Sequence, residues 1–394
     1  MSTDVIQVLG GDFPAQHLGR NYAHLPAPDG QQGRFADLLT WEALNAVLDS
    51  ARLEAPRLRL ALDGDTVPPH LYSERQSYRR MQDWMRPIPP LVHQQIADGA
   101  TLVLDTIDEL HPPVRDLASE LERLLRRPVT VNVYASWTSR EGFGTHWDDH
   151  DVLVFQVSGR KRWRIYGPTR PSPMYRDVVF ADVPPEQPLA ELTLGAGDVL
   201  YVPRGWWHAA AASEGEPSLH LSCGLGTHTG ADLLGWVVDR LRDNDTVRAD
   251  VPRFATGAER AAWAASMAKL LAEELTADVV ERYGAARDAA ATPRGGFSLP
   301  LAVAGNLEDP GTIVRFAVTR PVIDHHADGV TVAAGGRRWT LDAAAGPVFE
   351  LLAGGQPLAV SALADAAGLP VDLVAGMLQT MLDAGVVSAA EVPR

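Results

Sequence analysis

Residues 146–166 read His146-Trp-Asp-Asp-His-Asp-Val-Leu-Val-Phe-Gln-Val-Ser-Gly-Arg-Lys-Arg-Trp-Arg-Ile-Tyr, a polar opening and then two strand-like runs broken at Ser158-Gly159. The second run alternates: Arg160, Arg162 and Arg164 face one way, Lys161, Trp163 and Ile165 the other. A lysine aimed at an apolar face needs an anion, because an unpaired buried ammonium is costly. A dicarboxylate ligand or a local Asp or Glu would supply one. In the opening, His146 and Asp148 stand two apart, so an extended backbone places them on one side with Cα atoms about 6.6 Å apart. Two such side chains can hold one metal ion. His150 would lie about 13 Å from His146 along a strand and is a poor third ligand. His208 is the better one, because it follows the strand-like run 199–202 and the turn Pro203-Arg-Gly, which a closed β core would bring alongside. Two histidines and one carboxylate with open positions make the facial set that holds non-haem iron(II).

Working outward, the stretch from about 128 to 228 keeps a period of two. Val129-Thr-Val-Asn-Val-Tyr, Val152-Leu-Val-Phe-Gln-Val, Trp163-Arg-Ile-Tyr, Val199-Leu-Tyr-Val and Leu219-His-Leu-Ser-Cys are separated by glycine and proline turns. Short strands at this spacing predict an antiparallel sandwich or barrel. The N-terminal flank is mixed: a helix after Thr40, whose hydroxyl is placed to cap Ala43, a strand over 57–62, and a helix over 110–125 behind Pro112-Pro113. Helical stripes return over 231–241 and 258–283, and Thr292-Pro-Arg-Gly-Gly reads as a linker. Beyond it, strand-like runs at 312–318 and 329–341 precede helices near 347–352, 361–367 and 371–384, the last closed by Gly385. The glycines of Gly224-Leu-Gly-Thr-His-Thr-Gly are spaced one residue too long for a dinucleotide fingerprint.

Composition narrows the classes. The 394 residues allow two or three domains, and 46 % apolar with 22 % charged residues is ordinary globular make-up. The single thiol, Cys223, rules out an internal disulfide and a cysteine-rich zinc site. No basic leader precedes a long apolar run, so the expectation is a cytoplasmic protein with no membrane partner. A net charge of −15 disfavours phosphate backbones and favours a basic protein or peptide. Strands leading into three helices suggest a winged-helix-like module at the C-terminus, but 342–393 contain neither Lys nor Arg, which argues against direct DNA binding.

Joined to Gly197-Asp-Val-Leu-Tyr-Val-Pro-Arg-Gly-Trp-Trp-His, the opening stretch resembles the JmjC-type ribosomal oxygenases, a branch of the cupin-fold 2-oxoglutarate oxygenases. Gly99-Ala-Thr-Leu-Val-Leu-Asp and Leu110-His-Pro-Pro-Val resemble that family too. The resemblance implies a mainly β catalytic core of double-stranded β-helix (cupin) type with flanking helices in 1–228, a helical dimerisation region in 229–296, and a winged-helix-like domain in 297–394. It implies His146, Asp148 and His208 as iron(II) ligands and Lys161 as the partner of the distal carboxylate of 2-oxoglutarate. Ser222, Asn132 and Tyr134 match further pocket positions. The implied activity is a dioxygenase reaction, consuming O₂ and 2-oxoglutarate, that hydroxylates a side chain of a basic polypeptide, with a ribosomal protein as a candidate; a homodimer is implied as well.

The chain departs from the family in three places. Ala135-Ser-Trp-Thr-Ser-Arg replaces a Thr-Pro-Pro-Gly-like turn, Lys161 matches the histidine-hydroxylating members and stands where an arginine-hydroxylating bacterial branch has Arg, and Gly224 stands where the histidine hydroxylases have Ser. The hydroxylated residue therefore stays open. Two other readings stand beside the first: the same chemistry on a peptide natural product or small molecule, and a non-catalytic cupin acting as a scaffold. Trp147, Trp206 and Trp207 are candidates for apolar walls of the site or for plain core.

Overall fold

A computed structural model describes residues 5–390 apart from 79–80, 176, 178–182, 214–215, 306 and 308. It divides into two compact units between Thr227 and His228. The strands of the first are β1 (Ala23–Leu25), β2 (Leu58–Leu62), β3 (Asp65–Thr66), β4 (Ser73–Tyr78), β5 (Met81–Pro87), β6 (Thr101–Leu104) and β7 (Val129–Ser136). They continue with β8 (Asp151–Ser158), β9 (Lys161–Pro168), β10 (Ala190–Leu194), β11 (Val199–Val202), β12 (Trp206–Ala212) and β13 (Ser218–Leu225). An eight-stranded sheet runs β1-β11-β8-β13-β7-β6-β2-β3, and a three-stranded sheet runs β10-β9-β12.

The period of two explains why both faces of the large sheet are covered. Val129, Val131, Val133 and Ala135 of β7, Leu153, Phe155 and Val157 of β8, and Leu219, Leu221, Cys223 and Leu225 of β13 point into one large core. Helices Trp41–Ser50 and Pro112–Leu125 add Leu44, Val47, Val114, Leu117, Leu121 and Leu125 to it. The intervening residues face the small sheet, where Val152, Val154, Leu200 and Val202 meet Trp163, Ile165 and Leu194 in a second cluster. This is the cupin-type β core with flanking helices. Thr40 Oγ accepts from the Ala43 amide at 3.0 Å and caps its helix.

The second unit holds helices Gly230–Arg240, Gly257–Glu274 and Val279–Ala289, then β14 (Ile313–Phe316), β15 (Val322–His326), β16 (Gly329–Ala334), β17 (Arg337–Leu341), β18 (Leu358–Ala359) and β19 (Val387–Ala390). The expected helix over 258–283 is broken after Glu274: the Arg282 guanidinium donates to the Glu274 carbonyl at 2.6 Å and occupies the end of the first segment. The run 329–341 is a hairpin, β16 and β17, turned at Gly335-Gly336 with φ of +58° and +75°. Helices Gly346–Ala353, Val360–Ala367 and Val371–Asp383 pack with β14 and β16 around Val314, Val332, Phe349, Leu363 and Leu378. Among the described residues no single helix is long and apolar enough to cross a membrane.

Candidate active site

The small sheet closes over the large one around a cavity of about 260 Å³. From the large sheet, Asn132 and Tyr134 of β7, Val152 of β8, and His220, Ser222 and Gly224 of β13 line it; from the small sheet come Lys161, Trp163, His208 and Ala210. All are the alternate residues that the core strands leave pointing away from the main core. Each sequence-predicted site residue reaches this one cavity: His146, Asp148, His208, Lys161, Ser222, Asn132 and Tyr134.

His146 and His208 are brought together by the backbone. The His146 amide donates to the His208 carbonyl at 3.0 Å and the reverse bond is 2.8 Å, an antiparallel bridge outside the named strands. A bulge at Trp207/His208 in the β9–β12 pairing turns His208 inward, and the Gly205 amide holds the Asp148 carbonyl at 2.7 Å. One ligand atom from each of His146, Asp148 and His208 lies within 4.8 Å of the others. Each imidazole has its Nδ1 against a backbone carbonyl, that of Gly144 at 3.1 Å for His146 and that of Trp206 at 2.9 Å for His208. This leaves both Nε2 lone pairs free, the tautomer that metal-binding histidines adopt. His208 Nε2 stands 3.6 Å from Asp148 Oδ2, too far for a good hydrogen bond and near enough for both to reach one ion. The donor set therefore fits a divalent first-row metal with an open face. Burial, then the charge of His146, pushes His208 down to about 4, so its imidazole is neutral at pH 7. Burial alone would raise Asp148, but the three neighbouring imidazoles outweigh it and lower its pKa.

Lys161 sits on β9 just after Gly159, whose φ of +66° and approach to the chain at Pro217 leave no room for a side chain. It is 3 % exposed and donates to Ser136 Oγ at 2.7 Å. Among the described residues no carboxylate pairs with it. The predicted local salt bridge is thus not what satisfies it, and burial lowers its pKa to about 7. The sequence uses arginine for nearly all its cations, with Lys161 and Lys269 its two lysines. A compact ammonium tolerates such desolvation by shifting its pKa, as a guanidinium does not.

Asn132 Oδ1 accepts from the Thr106 amide at 3.0 Å, so part of its capacity is structural. Tyr134 is raised to about 12 by burial and by Asp148 and stays protonated. The aromatic wall consists of Trp163, Phe143 and Tyr134, not of Trp147, Trp206 or Trp207: Trp207 packs with Tyr166 and Trp206 with Tyr22. His150 also lines the cavity, beside Gly224, where a Cβ would lie 3.0 Å from its ring. Sequence reasoning missed Arg59, Phe143 and His220. Of these only His220 carried a signal, its period-two relation to Ser222.

A β core of this topology with a two-histidine, one-carboxylate cluster defines a cupin-type fold with a candidate metal site. More narrowly, residues 109–233 match the JmjC domain family. A 137-residue stretch of the chain is 33 % identical to the Drosophila persimilis bifunctional lysine-specific demethylase and histidyl-hydroxylase NO66, covering 35 % of this chain and 20 % of the fly protein. The Dictyostelium discoideum protein of the same name is 32 % identical over 159 residues, covering 39 % of this chain and 31 % of its own. The chain thus spans between a fifth and a third of these relatives. The solved structure of Escherichia coli YcfD has the same fold across nearly the whole chain (TM-score 0.59, 18 % identity, 96 % of this chain and 97 % of that one). YcfD, described as a ribosomal oxygenase, has also been solved with cobalt and 2-oxoglutarate (TM-score 0.57, 17 % identity, 96 % and 97 % covered).

Proposed function

We propose that this protein is an iron(II)- and 2-oxoglutarate-dependent dioxygenase that hydroxylates a side chain of a basic polypeptide, with a ribosomal protein as the first candidate. The observation that carries the reading is the meeting of two opposite needs in one cavity: three convergent metal donors and, beside them, a buried ammonium that has no carboxylate partner among the described residues. A ligand that is anionic at one end and chelating at the other meets both needs. The names of the NO66 and YcfD proteins support the polypeptide substrate, and the acidic composition of the chain supports a basic one.

His146, Asp148 and His208 would hold the metal, which when bound supplies the coupling of O₂ and 2-oxoglutarate to C–H hydroxylation, with succinate and CO₂ as co-products. Lys161 binds the distal carboxylate, and Ser222 and Asn132 border the cosubstrate. Tyr134, Phe143 and Trp163 exclude water and fix the geometry of the reactants. The test is 2-oxoglutarate turnover by iron-loaded protein with basic peptides, and a peptide heavier by one oxygen atom. Absence of 2-oxoglutarate binding, or an unchanged Lys161→Ala variant, refutes the reading.

The same chemistry on a peptide natural product is the second reading. It is favoured by the segment 135–140, where Arg140 binds the Asp63 carboxylate and donates to the Asp98 carbonyl at 3.0 Å, reshaping the approach to the site. Ribosomal proteins that lack any hydroxylation dependent on this enzyme would select it. The chain is proposed to pair as a homodimer through 229–296, where Leu234, Val238, Phe254 and Val280 are exposed. A monomeric mass by sedimentation at micromolar concentration contradicts that. The winged-helix-like assignment of 297–394 is likewise a proposal, and with no Lys or Arg in 342–393 this module serves protein contacts rather than DNA.

A further inference from the structure

The lysine end of the cavity holds one group that the proposed reaction leaves idle. His220 is 3 % exposed, points to the same side of β13 as Ser222, and lines the cavity. Its ring is held in place: Tyr134 stacks flat against it (centroids 4.9 Å apart, 4° between planes) and Trp163 meets it edge-on at 5.9 Å and 70°. Nδ1 is enclosed without a hydrogen-bond partner, and no described residue bonds the ring at Nε2. A buried imidazole with neither nitrogen satisfied by protein is a polar group kept for something else. Burial, and secondly the Lys161 ammonium, hold its pKa well below the ordinary histidine value, so the ring is neutral. A neutral ring has one proton. On the enclosed Nδ1 that proton would be a wasted donor, so it resides on Nε2, the nitrogen left to the cavity.

We infer that His220 is a second anchor for the anionic end of the cosubstrate, a fixed neutral donor whose Nε2–H meets the carboxylate that Lys161 neutralises. This rests on the dioxygenase reading and deepens it. A carboxylate offers about four acceptor positions. Lys161 spends one N–H on Ser136 and has two left, so acceptor positions remain for a further donor. A neutral donor adds that bond without a second positive charge to balance. The pair therefore makes the site demand a dicarboxylate, because a 2-oxo acid ending in a methyl group would strand both donors.

The test is calorimetric binding of 2-oxoglutarate to the zinc-loaded protein. His220→Phe, which keeps the stack and removes the donor, should weaken binding about 10- to 100-fold. His220→Gln, which retains an N–H of similar reach, should recover most of that loss. The preference for 2-oxoglutarate over 2-oxobutyrate should shrink by the same factor in His220→Phe. In metal-free wild-type protein at pH 7, ¹⁵N spectra should show His220 as the neutral Nε2–H tautomer. Wild-type affinity in a folded His220→Phe variant, or an Nδ1–H tautomer, overturns the inference and leaves the dioxygenase reading intact. Wild-type protein that binds no 2-oxoglutarate overturns both. Should His220→Phe fail to fold, the tautomer decides.

Discussion

Replacing Lys161 by methionine removes a charge from an enclosed position and keeps an unbranched side chain of similar length. Burial lowers the Lys161 pKa from 10.5 to about 7. Between those two values the unfolded chain carries the proton and the folded protein does not, so stability rises with pH across that window. The cost of the lysine is fully expressed below pH 7 and disappears above the unfolded value. At about 1.4 kcal/mol per pH unit, the penalty is about 5 kcal/mol at pH 6 and about 2 kcal/mol at pH 9. Lys161→Met should therefore stabilise the protein more at pH 6 than at pH 9, by about 3 kcal/mol. Guanidinium denaturation of both proteins at the two pH values, without 2-oxoglutarate, reads this out. Packing differences between the two side chains cancel, because they are common to both pH values. A pH-independent difference between variant and wild type would refute the argument that Lys161 lacks a protein counter-ion. With saturating 2-oxoglutarate and metal the sign should reverse, since only the wild type gains binding energy from the distal carboxylate.

The same titration gives a second expectation: above pH 7 binding of 2-oxoglutarate must re-protonate Lys161, so its Kd should rise about tenfold per pH unit from 7.5 to 9 and stay flat in Lys161→Met, by calorimetry. Asp151 is 1 % exposed and accepts from Tyr201 Oη at 3.0 Å, the Arg204 amide at 3.0 Å and Arg127 at 2.6 Å. Asp151→Asn removes the buried carboxylate and leaves Arg127, 24 % exposed, without its partner, and denaturation should show a loss of about 1–3 kcal/mol. Gly159→Ala places a Cβ 1.7 Å from the Pro217 carbonyl oxygen at a φ of +66°. It should cost at least about 2 kcal/mol and shift Lys161, visible as weaker 2-oxoglutarate binding.

What the sequence revealed follows from where the chain is buried. β7, β9 and β13 alternate apolar and polar residues, while β8 and β11, buried on both faces, read as continuous apolar runs, and the alternation put Lys161 and Ser222 in the cavity. β4 and β5 left no such trace: they form a two-stranded ribbon in which Glu74, Arg75, Gln76, Asp83 and Arg86 are mixed with the adjacent Trp84 and Met85, so no apolar alternation is written. β12 was hidden for the opposite reason, because Trp206-Trp-His-Ala-Ala-Ala-Ala carries no contrast between faces. The break near 275 escaped because no glycine or proline marks it, and the residue that ends the helix, Arg282, lies downstream. The bridge between the amide of one site histidine and the carbonyl of the other is a backbone event that no spacing rule reports.

The central claim is that the cluster of His146, Asp148 and His208 drives hydroxylation of a basic polypeptide. Quantitative mass spectrometry of ribosomal proteins from cells carrying the wild-type gene or its His208→Ala form tests it most directly. One ribosomal protein should be heavier by a single oxygen atom in the wild-type cells and unmodified in the variant. Identical masses across the full ribosomal set, from cells in which both forms of the enzyme are folded and abundant, would contradict the assignment of that substrate class.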